Sequence, residues 1–464
     1  MKNDRVISPL LLGGSFLFFL YFLSTSEGFY GGGDSIAHFR LAKFSWEHPK
    51  YLLDHWGKPL YTLIAMPFAQ FGFKAVQLLN LIAGLLCCVL VILIARKLKL
   101  KWSWLAIPVI LFAPVFMREF YSGLTEVVFV ALLLFSFWLN LNSNRAAFLI
   151  VLSFLPFVRT EAIFIIAWLA LIDLFRHRDW KVLLLGSGTM IYSLIGWITK
   201  GDPLWIINDL PYVGGEHIYG SGSFSHYVEL MPSTIGWAAL LLAGVGSAII
   251  TARFSDKNSR WLLLYVLIPT LIYVGFHSFM WYWGRVSLGL PRMLAVIVPL
   301  IGLLVVYGFN ALTEVTNAKN LNLILGFGLS SIFIWNGLLR VELPVPLGME
   351  EQVLVEAADY IRENDLTDHK IHYYALYSEI TLGLDPHDSD QCQQIVHNRA
   401  NPHEEVASGS LVIGDAHFSP KEGAMPLENL KENPHFDLVQ KFEPEYPFNT
   451  LGDRPFEVYL FIRK

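Results

Sequence analysis

The chain has 464 residues, of which 54% are hydrophobic and only 16% charged, and its mean hydropathy is +0.47. So little polar surface excludes a soluble globular protein and requires lipid to cover much of the molecule. The net charge of −5 singles out no partner, and three cysteines, Cys87, Cys88 and Cys392, cannot form a disulfide framework.

Lys2 and Arg5 precede an apolar run from about Ile7 to Leu23 that no small-residue cleavage motif follows. This predicts an uncleaved first span with a cytoplasmic amino terminus. A span needs roughly 20 apolar residues to cross a hydrocarbon core of about 30 Å. On that basis spans are expected at 8–24, 75–95, 103–117, 127–141, 146–158, 162–175, 182–198, 236–252, 261–277, 293–311 and 321–339, about eleven in all. The alternate short connections carry Arg96, Lys97, Lys99 and Lys101, then Arg145, then Arg176, Arg178 and Lys181, then Arg253, Lys257 and Arg260, and finally Lys319. The positive-inside rule makes these cytoplasmic. Segments 25–74, 199–235 and 278–292 then lie outside, as does the carboxyl terminus.

After Arg340 the composition turns mixed and polar. Helical spacing over 349–364 and alternating or β-branched runs at 370–377, 410–415 and 455–462 predict a small soluble α/β domain. The expected organisation is therefore an all-α polytopic membrane domain over 1–340 and an extracytoplasmic α/β domain over 341–464.

The first outer segment is dense in chemistry. Gly31-Gly32-Gly33-Asp34-Ser35 places an acid at the expected start of an interfacial helix (35–47), with His38 one turn later on the same face. Asp34 could serve there simply as a helix cap. Leu53-Asp54-His55-Trp56-Gly57-Lys58-Pro59-Leu60 follows, in which Lys58 can contact a phosphate and Trp56 can anchor the interface. Further charges sit at the outer ends of apolar spans: Arg118, Glu119 and Glu126, then Arg159 and Glu161. Charge at membrane depth is costly and normally pairs or serves a site. The plain alternative is that Arg159 pairs with Glu126 or Glu161 to pin a helix hairpin. His277 through Arg285 and the string Leu290-Pro291-Arg292-Met293 add two arginines beside aromatics, and a guanidinium fork suits phosphate.

No phosphate-binding glycine loop, dinucleotide fingerprint or metalloprotease motif is present. Asp388-Ser389-Asp390 matches a D-x-D metal triplet, but so short a pattern reads first as a surface turn.

Together, Gly33-Asp34-Ser35, the juxtamembrane helix after it, the outer turns bearing Arg118, Glu119, Glu126, Arg159 and Glu161, and Leu290-Pro291-Arg292-Met293-Leu294 resemble the GT-C superfamily of integral-membrane glycosyltransferases. That group includes protein O-mannosyltransferases, lipid A aminoarabinose transferases and dolichol-phosphate-mannose-dependent enzymes. The string from Gly31 to Gly72 looks like uncharacterised bacterial members. The acid pair usual in the superfamily is here Asp34-Ser35, and a divalent metal stands as an optional cofactor.

The resemblance implies transfer of a sugar from a polyprenyl-phosphate donor to a glycan, lipid or protein acceptor on the outer face of the plasma membrane, with inversion. Nucleic acid is not among the expected partners. Such a site needs a carboxylate to deprotonate the acceptor and cations for the departing phosphate. Asp34 fits the base, Lys58, Arg159 and Arg292 the phosphate contacts, and His38, Glu126 and Glu161 the sugar or acceptor. A lipid transporter or flippase and a non-catalytic scaffold are the competing classes.

Overall fold

The computed structural model describes residues 2–210, 220–285, 287–316, 318–450 and 454–464. Residues 211–219 of the expected outer segment 199–235, Val286 of segment 278–292, and the side chains of Lys2 and Arg5 lie outside the described residues. The chain divides into two compact units, Met1–Val345 and Pro346–Lys464. Composition changes after Arg340, yet residues up to Val345 belong to the first unit. The Val345 N–H donates to Ser26 Oγ at 2.8 Å and its carbonyl accepts from Gly28 N–H at 3.0 Å.

The first unit is helical. Among the described residues six helices are long and apolar enough to cross a membrane: Val6–Thr25, Phe73–Lys97, Trp180–Lys200, Lys257–Trp283, Pro291–Val315 and Lys319–Leu338. His226–Thr234 and Trp237–Ala252, bent by 117°, would together make a seventh. Glu126–Leu141 and Arg145–Phe157 are apolar but shorter. The expected span 103–117 is broken into Ala106–Leu111 and Pro114–Glu119. The cause is Pro114, which lacks an N–H and forces Ala113 into extended backbone, φ −67° and ψ 124°. Between the first two spans, within the segment 25–74 expected outside, an apolar helix, Pro59–Ala69, starts at its proline.

The second unit holds a five-stranded sheet of β1 (Ile371–Tyr373), β2 (Cys392–Gln394), β3 (Leu411–Asp415), β4 (Phe436–Phe442) and β5 (Val458–Arg463), ordered β2-β1-β3-β5-β4. β1 runs parallel to β2 and β3, whereas β5 is antiparallel to β3 and β4. Strand alternation builds two cores. Leu411, Ile413 and Leu460 join Val353, Leu354 and Ile361 of the Met349–Glu363 helix, while Val412 and Phe461 join Met425, Leu427 and Leu430 on the other face.

Candidate active site

Stretches distant in sequence are sewn into one wall of the first unit. Gly31 takes φ +91° at the head of the Gly32–Phe44 helix. A Cβ there would meet Ser35 Oγ at 2.3 Å and Leu124 Cδ1 at 2.7 Å, so the position demands glycine. The cap therefore belongs to Gly31. The helix begins at Gly32 and ends at Phe44, against the expected 35–47, and Asp34 stands in its first turn.

Ser35 Oγ donates to the Tyr30 carbonyl at 2.7 Å and accepts from Gly123 N–H at 3.1 Å, while Tyr30 N–H donates to the Tyr121 carbonyl at 2.9 Å. A Cβ on Gly123 would stand 2.6 Å from the Ser35 carbonyl, which shows how closely the two backbones approach. Buried carbonyls of the 119–125 turn need donors in an apolar bundle. The Asn80 amide supplies them to Glu119, Ser122 and Leu124 at 3.2, 2.9 and 3.1 Å, Gln77 to Tyr121 at 3.0 Å, and the Tyr61 hydroxyl to Gly123 at 2.6 Å. The acid of the first loop is thus held rigidly against the turn that leads into Glu126.

Asp34, Lys58, Arg159, Arg292, His38, Glu126 and Glu161 all line one cavity of about 470 Å³. Arg292 forms an ion pair with Asp34, and its Nε lies 3.6 Å from Glu126 Oε1. Arg159 bridges Glu126 and Glu161, with both nitrogen–oxygen distances 2.6 Å. The pairing alternative for Arg159 is therefore observed, with both acids at once. Arg159 also donates to Thr125 Oγ1 at 3.1 Å and to Met293 Sδ at 3.0 Å, and Lys58 Nζ donates to Thr160 Oγ1 at 3.3 Å.

Lys58 holds φ +61°, costly for a residue with a Cβ, just before Pro59. Hydrogen bonds from Thr62 to the Gly57 and Lys58 carbonyls, at 2.8 and 2.9 Å, hold this turn.

His38 is buried and packs 5.1 Å from the Trp56 ring and 5.4 Å from Tyr61. Burial, reinforced by the Lys58 charge, pushes its pKa down to about 3, so the imidazole is neutral at any ordinary pH. Neutral, it can exchange hydrogen bonds with a ligand but carries no charge to a phosphate.

Three carboxylates and three cations thus share one enclosure, most of them withdrawn from water. One side of it is apolar. Ile163 and Phe164 are 58% and 42% exposed on the outside of the unit, and Phe164 stacks on Phe276 at 4.3 Å.

Arg118, Glu119, Asp388 and Asp390 lie outside this cavity. The Arg118 guanidinium sits 5.5 Å from the Tyr30 ring and donates to the Arg340 carbonyl at 3.2 Å, while buried Glu119 accepts from Ser122 Oγ at 3.0 Å. Both brace the turn. Asp388 and Asp390 are exposed, and Asp388 Oδ1 accepts from the N–H groups of Asp390 and Gln391 at 3.0 and 3.2 Å. This is a self-contained Asx turn.

Trp56, for which an interface anchor is the plain alternative, lines the cavity, together with Thr125, Thr160, His277, Ser287 and Met293. Trp56, His277 and Met293 belong to strings singled out for their charged neighbours, whereas nothing in the local pattern of Thr125 or Ser287 distinguishes them. Among the described residues no group of three or more His, Cys, Asp or Glu side chains could hold a metal ion. The cavity's acids are instead engaged by guanidinium groups, a donor set that does not fit a divalent cation.

This architecture is that of the GT-C glycosyltransferases, and the protein is a multi-pass membrane protein of that fold. It is similar over 98% of its length to 98% of ArnT from Cupriavidus metallidurans in the apo state, with a TM-score of 0.65 at 10% identity. The same enzyme bound to undecaprenyl phosphate aligns over 99% of this chain and 98% of that one, with a TM-score of 0.63 at 10% identity. The archaeal oligosaccharyltransferase AglB from Archaeoglobus fulgidus, in complex with an inhibitory peptide and a dolichol-phosphate, aligns over 89% of this chain and 70% of that one, with a TM-score of 0.55 at 11% identity. No family model and no curated protein matches the sequence.

Proposed function

We propose that the protein transfers a sugar from a polyprenyl-phosphate donor to an acceptor hydroxyl or amide at the outer membrane surface, with Asp34 as general base. The observation that carries this reading is the meeting of a partly exposed carboxylate, Asp34, with Lys58, Arg159 and Arg292 around one cavity. Base and phosphate-binding cations stand within one enclosure, as a displacement at a glycosyl phosphate requires. The solved neighbours of this fold include one bound to undecaprenyl phosphate and one bound to a dolichol-phosphate.

The donor phosphate would seat on Lys58 and Arg292, with the polyprenyl chain leaving past Ile163 and Phe164. A phosphate drawing Arg292 toward itself would release the Asp34 carboxylate. The acceptor then attacks the anomeric carbon as the C–O bond to phosphate breaks. Its proton passes to Asp34, and the lipid phosphate leaves with the bonding pair, stabilised by the cations. A single displacement of this kind inverts the anomeric configuration and needs no covalent enzyme intermediate. Glu126 and His38 border the same space and would contact sugar or acceptor.

Basic turns on the alternate connections favour an inside amino terminus and an outside carboxyl terminus, and a reporter fused at Lys464 should give an extracytoplasmic signal. A cytoplasmic signal there would move the site to the wrong face.

Asp34→Asn is the direct test. Loss of a general base costs about 10²–10⁴-fold in turnover, with folding unchanged. A transporter or scaffold would tolerate the replacement, so near-normal function of Asp34→Asn would refute the reading.

A further inference from the structure

One buried group takes no part in that scheme. His277, on the Ile268–Trp283 helix, lines the cavity and is 6% exposed, yet among the described residues neither ring nitrogen has a hydrogen-bond partner. Burying an imidazole with neither nitrogen hydrogen-bonded is costly, and native structures seldom leave such a group unsatisfied.

Its ring is held edge-on by Tyr273 at 4.6 Å and flanked by Tyr227 at 5.7 Å, so it is fixed in place. Nε2 faces Glu161 Oε1 at 3.6 Å, too long for a hydrogen bond. Glu161 is in turn clamped by Arg159 and approached by the Tyr273 hydroxyl at 3.4 Å. The pair is closely packed yet not hydrogen-bonded to each other.

We propose that His277 and Glu161 form a hydroxyl-binding subsite of the cavity, in which one sugar hydroxyl accepts from the His277 N–H and donates to the Glu161 carboxylate. A hydroxyl is the group that suits both sides, since it donates and accepts through one oxygen. A phosphate would suit only the imidazole and would repel the carboxylate. The subsite therefore reads a polyhydroxylated group, either the sugar on the donor or a sugar on the acceptor. It selects against an analogue that lacks this hydroxyl, because the buried pair would again be left unsatisfied.

This inference rests on the glycosyl-transfer reading, and the test separates the two. His277→Phe preserves ring packing and removes both nitrogens, and His277→Gln restores a donor near the Nε2 position. In a transfer assay with purified full-length protein, with the lipid donor and the acceptor varied in turn, His277→Phe should raise KM for one of the two substrates by about 3- to 10-fold, the loss expected for one neutral hydrogen bond. His277→Gln should recover part of it.

An effect on donor KM, matched by weaker binding of the lipid-linked sugar but not of the bare lipid phosphate, assigns the donor's hydroxyl. An effect on acceptor KM alone assigns the acceptor's. Unchanged KM for both substrates, or a loss of thermal stability with no effect on KM, overturns the subsite while leaving the Asp34 reading intact. Full activity of Asp34→Asn overturns the reading beneath it.

Discussion

Arg159 offers a quantitative test of how the cavity is held together. Its guanidinium neutralises two carboxylates that are nearly withdrawn from water, Glu126 at 1% and Glu161 at 13% side-chain exposure. Arg159→Met keeps the length and apolar stem of the side chain but leaves both acids without their shared cation. Breaking a buried ion pair from one side typically costs about 3–5 kcal/mol. Here a second carboxylate adds to the loss, while Arg292, 3.6 Å from Glu126, recovers some of it. The expected cost is therefore in that same range of about 3–5 kcal/mol.

Chemical unfolding in mild detergent, followed by intrinsic tryptophan fluorescence, measures it. The triple replacement Arg159→Met, Glu126→Gln and Glu161→Gln removes the stranded charges and should regain most of the stability without restoring transfer. If Arg159→Met is as stable as wild type, or if the triple variant is no better than the single, the cavity charges are not held as a coupled network. The reasoning about Arg159 then fails.

Gly31→Ala must adopt φ +91° and set a Cβ against Ser35 and Leu124. It should destabilise by more than about 1 kcal/mol and depress transfer by displacing Asp34, and normal activity with normal stability would contradict the role given to this turn. For His38, the unfolded imidazole binds a proton near its ordinary value of 6.5, whereas the buried ring does so only at about 3. Unfolding between those values takes up a proton, so stability falls as pH drops from 6.5 towards 3. Thermal midpoints at pH 7 and pH 5 should differ less in His38→Phe than in wild type, and equal differences would mean that the ring is not buried neutral.

Much of the architecture is written locally. Uninterrupted apolar runs can satisfy their backbone in lipid only as helices, and each expected span from 8–24 to 321–339 falls on helical chain, though 103–117 is split. Alternating or β-branched runs likewise make β1, β3 and β5 visible, while β2 carries two glutamines and β4 is polar and bulged, so neither stands out. Asp34 was legible because a glycine run before an acid is unusual, and the charges at span ends because lipid makes them costly.

What no local pattern contains is the partner of each charge. Asp34 meets Arg292 across 258 residues, Arg159 chooses both Glu126 and Glu161, and Lys58 reaches Thr160 across 102. Those choices follow from which helices pack together, since a buried charge pairs with whatever opposite charge the packing brings within reach. His277 is the clearest case. In sequence it is one more polar residue near the end of an apolar helix, and only the packing of Tyr227, Tyr273 and Glu161 around it leaves both its nitrogens buried without a hydrogen-bond partner among the described residues.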